Sequence, residues 1–117
     1  MTMNTNHLFI SALLLFAVNL SAQDTVRVQL HGTVLDAASA EPLPEVEVEW
    51  ATAKGELQAV TFSNSDGRYA LFVTTPGEVV LKVEENGYAP LRMVIDDLGP
   101  GESARELDLL LIRKVRP

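Results

Sequence analysis

The sequence predicts an all-β domain, a seven-stranded Greek-key β-sandwich, and three observations carry that prediction. Seven windows alternate apolar and polar residues with the period of two that a strand imposes. Turn-forming pairs stand between them: Lys54-Gly55, Asp66-Gly67, Pro76-Gly77 and Asn86-Gly87. From Gln23 onward no window longer than a few residues carries helical period, and Ala37-Ala38-Ser39-Ala40 has room for one helical turn at most.

The first strand is expected over residues 25–35, with Val26, Val28 and Leu30 on one face and Gly32 permitting a bend or bulge. Residues 36–44 are too many for a hairpin turn. Pro42 and Pro44 stiffen the stretch, which reads as a crossing between two sheets. The second strand, residues 46–53, sets Val46, Val48 and Trp50 against Glu45, Glu47 and Glu49. The third is residues 57–62. Asp66-Gly67 then turns the chain, because Gly accepts positive φ and Asp bonds its own backbone. The fourth strand, residues 68–74, puts Tyr69, Leu71 and Val73 on one face and leaves Phe72, a large apolar group, on the other. The fifth is residues 79–84. Asn86-Gly87 leads into the sixth, residues 88–95, where Pro90 suits an edge or a bulge. A loop at residues 97–101 precedes the last strand, residues 105–112, with Leu107, Leu109 and Leu111 inward. Leu71, Val73, Leu81, Val83, Tyr88 and Leu91 are expected in the core.

Residues 1–22 stand apart from this pattern. The apolar run from Leu8 to Val18 matches the hydrophobic region of a signal peptide and is short of the roughly 20 residues a membrane span needs. Ser21 and Ala22 suit cleavage before Gln23, although the leader has no Lys or Arg; an uncleaved anchor is the alternative. Residues 23–117 then form one domain, exported to the periplasm, the outer-membrane surface or the medium. The chain has no Cys, which removes disulfides, lipid acylation and thiolate chemistry. Its net charge of -7 repels phosphate backbones and argues against nucleic acid. The basic ending Arg113-Lys114-Val115-Arg116-Pro117 reads as a solvated tail, with anionic lipid or an acidic partner as the other reading.

Several motifs form an ordered set: Gly32-Thr33-Val34, Asp36, Glu41-Pro42-Leu43-Pro44 ahead of Val46-Glu47-Val48, Thr61, Ser65-Asp66-Gly67-Arg68-Tyr69 with Leu71 and Val73, and Gly87-Tyr88. This series resembles the carboxypeptidase regulatory-like domain, a transthyretin-like (prealbumin-like, also Ig-like) sandwich of Bacteroidetes-type exported proteins. The resemblance spans nearly all of residues 23–117. It implies a scaffold role for Gly32, Pro42, Asp66, Gly67, Tyr69 and Gly87, and a fusion to a peptidase, a receptor barrel or other modules. Glu45 stands where the family usually has a small residue, often Gly, so a more regular start to the second strand is expected here.

The residues offer little chemistry. A zinc peptidase needs three protein ligands and a base, and His31 is the one histidine past the leader. Hydroxyisourate hydrolases share the architecture, but their Tyr-Arg-Gly-Ser ending is not found here. Glu45, Glu47 and Glu49 form a carboxylate stripe with neighbours about 6.8 Å apart, too far in line for three to close on one Ca²⁺; it reads as a solvated face that deters edge pairing. Asn64, Asp66, Asp96 and Asp97 are the loop candidates for calcium, which is disfavoured because Asp66 serves the turn. No cofactor and no enzyme activity are expected. Trp50, Tyr69, Tyr88 and Phe62 are the candidates for stacking on sugar, with Trp50 and Tyr69 assigned to the core by the faces they share. The expected function is a non-catalytic module for protein interaction or assembly in the cell envelope. Its contact surface would involve a sheet edge, Phe72, Tyr88 and the Glu45, Glu47, Glu49 stripe. A carbohydrate-binding module is the alternative.

Overall fold

The computed structural model describes residues 27–115, so the leader at 1–22, the first residues of the expected first strand and the last two residues lie outside the described residues. Within them the chain forms two facing sheets, the sandwich that the alternation predicts. The strands are β1 (Val28–Asp36), β2 (Glu47–Thr52), β3 (Leu57–Phe62), β4 (Arg68–Val73), β5 (Val79–Val83), β6 (Leu91–Ile95), β7 (Ala104–Glu106) and β8 (Leu109–Leu111). One sheet has the order β3-β2-β5-β6, antiparallel throughout. In the other, β4 lies antiparallel to one side of β1, and β7 and β8 lie parallel to β1, end to end, on its other side. The inward faces meet in one core built on Val28, Leu30, Val34, Val46, Val48, Trp50, Tyr69, Leu71, Val73, Leu81, Leu109 and Leu111. Tyr88 and Leu91, expected inside, are half-buried and pack against it.

The last expected strand is two strands, and Gly32 explains the break. Odd-numbered residues of β1, and Ala37 just after it, bond towards β7 and β8: Gln29 N–H to Ser103 O, and Ala37 N–H to Leu111 O. Between them Leu107 N–H donates to His31 O at 2.7 Å, and the Thr33 amide finds no main-chain acceptor on β8; Asp108 Oδ1 takes it at 3.0 Å. At Gly32 an inward-pointing side chain is missing, and the carbonyl of Leu107 occupies that space. A Cβ on Gly32 would lie 2.2 Å from Leu107 O. Tyr69, directly across from Gly32 on β4, covers the glycine and donates its hydroxyl to Leu107 O at 2.6 Å. The bulge belongs to the neighbouring strand, and Gly32 admits it.

Three other local expectations change. Glu45 is not regular: its φ is +57°, the left-handed region that favours glycine. A bulge precedes the second strand, with a glutamate at its left-handed position. Buried Ser63 holds it. Ser63 Oγ accepts from Val46 N–H at 2.8 Å and donates to Leu43 O at 2.7 Å, while Glu45 N–H donates to Ser63 O. In the Asp66-Gly67 turn the side chain that closes the backbone is Asn64, whose Oδ1 accepts from the amides of Asp66 and Arg68; Gly67 takes φ +77° with Pro42 packed over it. The sixth strand starts at Leu91, not Tyr88, because Pro90 offers no N–H to a ladder. Tyr88 and Ala89 pair instead with Arg113 and Ile112 at the end of the other sheet.

Candidate interaction surface

β3 is an edge strand, and its ladder to β2 decides which groups it leaves open. Ser63 N–H bonds Val46 O, so in an antiparallel ladder Thr61 and Ala59 also turn their main-chain groups towards β2. Val60 and Phe62 therefore point their N–H and C=O away from the sheet, where no strand pairs with them among the described residues. Their side chains alternate away from half-buried Ala59 and Thr61 onto the outer face. Phe62 is 59% exposed, Leu57 56% and Val60 43%. A register shift between Trp50 and Ala51 brings Leu57 opposite Ala51, onto the same face. Leu57, Ala51, Val80 and Val94 thus lie in one row across the sheet, of which Leu57 and Val94 are exposed and Ala51 and Val80 between them are buried.

The carboxylate stripe lies on this face but is shorter than three. Glu45 sits in the bulge outside β2. Glu47 flanks Phe62, and Glu49 is bracketed by Val60 and Lys82. Each apolar side chain of β3 beyond the bulge therefore has a carboxylate neighbour one strand in.

Phe72 lies on the outer face of the other sheet. It is 42% exposed, and the Arg27 guanidinium stands over its ring at 4.1 Å, a cation–π contact that accounts for part of its apolar surface. Its carbonyl accepts from Trp50 Nε1 at 3.0 Å, which ties the two sheets together. Trp50 and Tyr69 are both buried and offer no face to a sugar.

Tyr88 belongs to a different cluster. Its hydroxyl donates to Asp36 Oδ2 at 2.8 Å, and Arg113 Nε donates to the same oxygen at 2.7 Å. Asp36 Oδ1 accepts the amides of Ala38 and Ser39. The Asp36 side chain is 1% exposed. Arg113 above all, then Tyr88, holds its carboxyl well below the usual range, and the same bond to Asp36 raises the Tyr88 phenol. Arg113 is thus fixed to the fold rather than part of a solvated tail. Beside it a shallow cleft of about 210 Å³ is lined by Glu84, Glu85, Asn86, Tyr88, Pro90 and Lys114. From β7, Arg105 pairs with Asp97 at 2.6 Å and Glu102 at 2.7 Å on the preceding loop and lowers both carboxyls. Of the loop oxygens weighed for calcium, Asn64 Oδ1 and Asp97 Oδ1 are therefore already engaged. Among the described residues no group of three His, Cys, Asp or Glu side chains is arranged to hold a metal.

Gly32, Pro42, Gly67, Tyr69 and Asp36, singled out by their spacing, brace the sandwich, while Val60 and Phe62 stand exposed on the open β3 edge. These features define a small exposed-edge β-sandwich module. Residues 29–109 match the family model of the carboxypeptidase regulatory-like domain, and the chain belongs to that family. Among curated proteins none matches. Several solved structures share the fold. The 5-hydroxyisourate hydrolase of Klebsiella pneumoniae aligns with a TM-score of 0.59 at 23% identity, over 75% of this chain and 92% of that one. Catechol 1,2-dioxygenase of Acinetobacter sp. ADP1 gives 0.61 at 17% identity, over 81% of this chain and 55% of that one. The Bacillus anthracis TIE protein gives 0.62 at 16%, over 75% and 17%. This chain thus spans little more than half of the dioxygenase, and at these identities the likeness is one of fold.

The β3 edge was the part least visible in the sequence. Its one signal is the run Leu57 to Phe62, six residues with no charge and no proline.

Proposed function

We propose that the chain is a non-catalytic, exported module that makes protein–protein contacts at the periplasmic or outer-membrane surface. The observation that carries this reading is the β3 edge, where open main-chain groups and the exposed Val60 and Phe62 side chains coincide on an uncharged strand. Strand addition uses both features at once: the backbone gives affinity and the alternate side chains give specificity. Family membership supports a scaffold rather than a reaction centre, and the residues of the family motif are engaged in bracing the fold.

The test is site-specific photocrosslinking in the native envelope with the reactive group at Val60, and with His31 on the outer face of the other sheet as control. A discrete protein adduct at Val60 and none at His31 is the expected result. Equal labelling at both positions rejects the edge as the contact. A glycan array addresses the competing carbohydrate reading. Glycan binding that Tyr88→Ala or Phe62→Ala removes, with the fold intact, overturns the protein-contact reading. The expected export is checked by N-terminal sequencing of the envelope-derived protein, which should begin at Gln23.

A further inference from the structure

We infer that the partner of the β3 edge is β3 of a second copy of this chain, paired antiparallel about a two-fold axis through Thr61. The inference rests on the interaction reading above and names its occupant.

The strand is complementary to itself. In the regular part of the ladder Val60 and Phe62 turn their main-chain groups away from β2, so a strand added there bonds to those two residues. A two-fold through Thr61 places Val60 opposite Phe62 of the second copy, and Phe62 opposite its Val60. Both pairs exchange both main-chain bonds. Both also bring an aromatic side chain against a β-branched one on the same outer face, a favourable cross-strand combination. No large side chain that β3 exposes beyond its bulge is left unmatched. The two Thr61 residues then face each other as a non-hydrogen-bonded pair.

Charge points the same way. The chain carries a net charge of -7, so two copies can meet closely only where carboxylates are absent, and Leu57 to Phe62 has none. Glu47 and Glu49 lie one strand in. Across the pairing the two copies of β2 are three strand spacings apart, about 14 Å, beyond the screening length of about 8 Å at physiological salt.

The other edges are blunted. β6 follows Pro90 and carries Arg92, β7 and β8 are three residues each and separated by the Leu107 bulge, and β4 opens with Arg68. These are devices by which proteins prevent edge pairing; β3 has no charge and no proline, and its bulge lies at its Leu57 end, away from Val60 to Phe62. The result is one continuous sheet through both copies. An interface of one strand pair is small, so the dimer is of micromolar strength and forms with concentration.

The test uses the full chain, whose lack of cysteine makes an introduced thiol unique. Cα atoms of a non-hydrogen-bonded antiparallel pair lie about 4.5 Å apart, within disulfide reach. Thr61→Cys should therefore oxidise to a covalent dimer, whereas Val60→Cys, whose counterpart in the second copy is Phe62, should not. Sedimentation velocity of the unmodified chain should show mass rising with concentration towards twice the monomer's. Val60→Lys or Phe62→Glu should each weaken association on the order of tenfold, since each acts at two symmetry-related places. The double substitution should restore it, because the new cation in one copy faces the new anion in the other. Circular dichroism confirms that these exposed-site variants stay folded.

A chain that remains monomeric across the concentration range overturns the inference. So does a Val60→Cys dimer that forms as readily as the Thr61→Cys dimer, or a double substitution that stays dissociated. A monomeric chain that still crosslinks to another protein through Val60 in the envelope rejects the second copy alone and leaves the interaction reading standing.

Discussion

Gly32→Ala should be the most damaging single methyl that can be added to this domain. The new Cβ would stand 2.2 Å from Leu107 O and 2.6 Å from Leu107 C, both main-chain atoms with no rotamer to yield. To reach even 3.0 Å the carbonyl must retreat by about 0.8 Å, an overpacking of the kind that costs roughly 1–3 kcal/mol. The retreat also pulls on three hydrogen bonds: Tyr69 OH to Leu107 O, Leu107 N–H to His31 O, and Thr33 N–H to Asp108. Each contributes about 1 kcal/mol net, and not all are lost. The sum is about 2–4 kcal/mol, or a Tm lowered by roughly 10–25 °C for a domain of this size. Urea unfolding gives the free energy and a thermal scan the Tm. Tyr69→Phe removes one partner of the buried carbonyl and should cost about 1–2 kcal/mol. The two substitutions act on one carbonyl, so the double variant should lose clearly less than the sum of the two. A Gly32→Ala protein melting within about 3 °C of the parent would refute the account, as would strict additivity with Tyr69→Phe.

Four smaller outcomes follow from the same geometry. Glu45→Gly should stabilise the domain by about 0.5–1 kcal/mol in urea, because a left-handed non-glycine residue is strained by more than glycine's added chain entropy costs; a loss of stability would mean that the glutamate makes a contact that offsets the strain. Ser63→Ala, which orphans Val46 N–H and Leu43 O, should cost about 1–3 kcal/mol and raise amide exchange at Val46. The depressed carboxyls of Asp36, Asp97 and Glu102 contribute stability that is present above the unfolded carboxylate value near pH 4 and is lost as pH falls. The urea midpoint should therefore drop below about pH 4, and Asp36→Asn should lower the midpoint at pH 7 while flattening part of that drop; an unchanged acid slope would contradict the Asp36 arrangement. Tyr69 has the opposite sign: burial first, then Asp108, pushes its phenol up, so its contribution is present below pH 10.0 and declines above it. Comparison of alkaline titrations of the parent and Tyr69→Phe should show that part of the slope disappear.

The architecture was legible because its causes are local and periodic. β3 matches residue for residue the window read from alternation, and β2, β4 and β5 differ by a residue or so at their ends. Three of the misreadings share one cause, a group satisfied by a residue far away in sequence. Nothing near Leu107 announces that its carbonyl turns inward, because the space is made by Gly32 and the donor is Tyr69. Nothing near Glu45 shows that it keeps a left-handed bulge, because the staple is Ser63. Arg113 reads as a loose cation until Asp36, 77 positions earlier, is placed beneath it.

The candidate surface was harder to see for a related reason. Alternation separates the two faces of a strand but is silent on which strand ends a sheet. Phe72 drew attention because it breaks the pattern of β4, yet Arg27 lies over it and its strand begins with a charge. Phe62 conforms to its strand and drew little, yet it is the more exposed of the two and sits where the ladder stops. What distinguishes β3 is the coincidence of three properties that sequence shows only singly: an uncharged run, outward main-chain groups at Val60 and Phe62, and large side chains on those same two residues. An edge left open in this way is an aggregation hazard unless something covers it. A strand that matches its own copy meets that need without a second gene product, and the Thr61→Cys crosslink is the direct measure of whether it does.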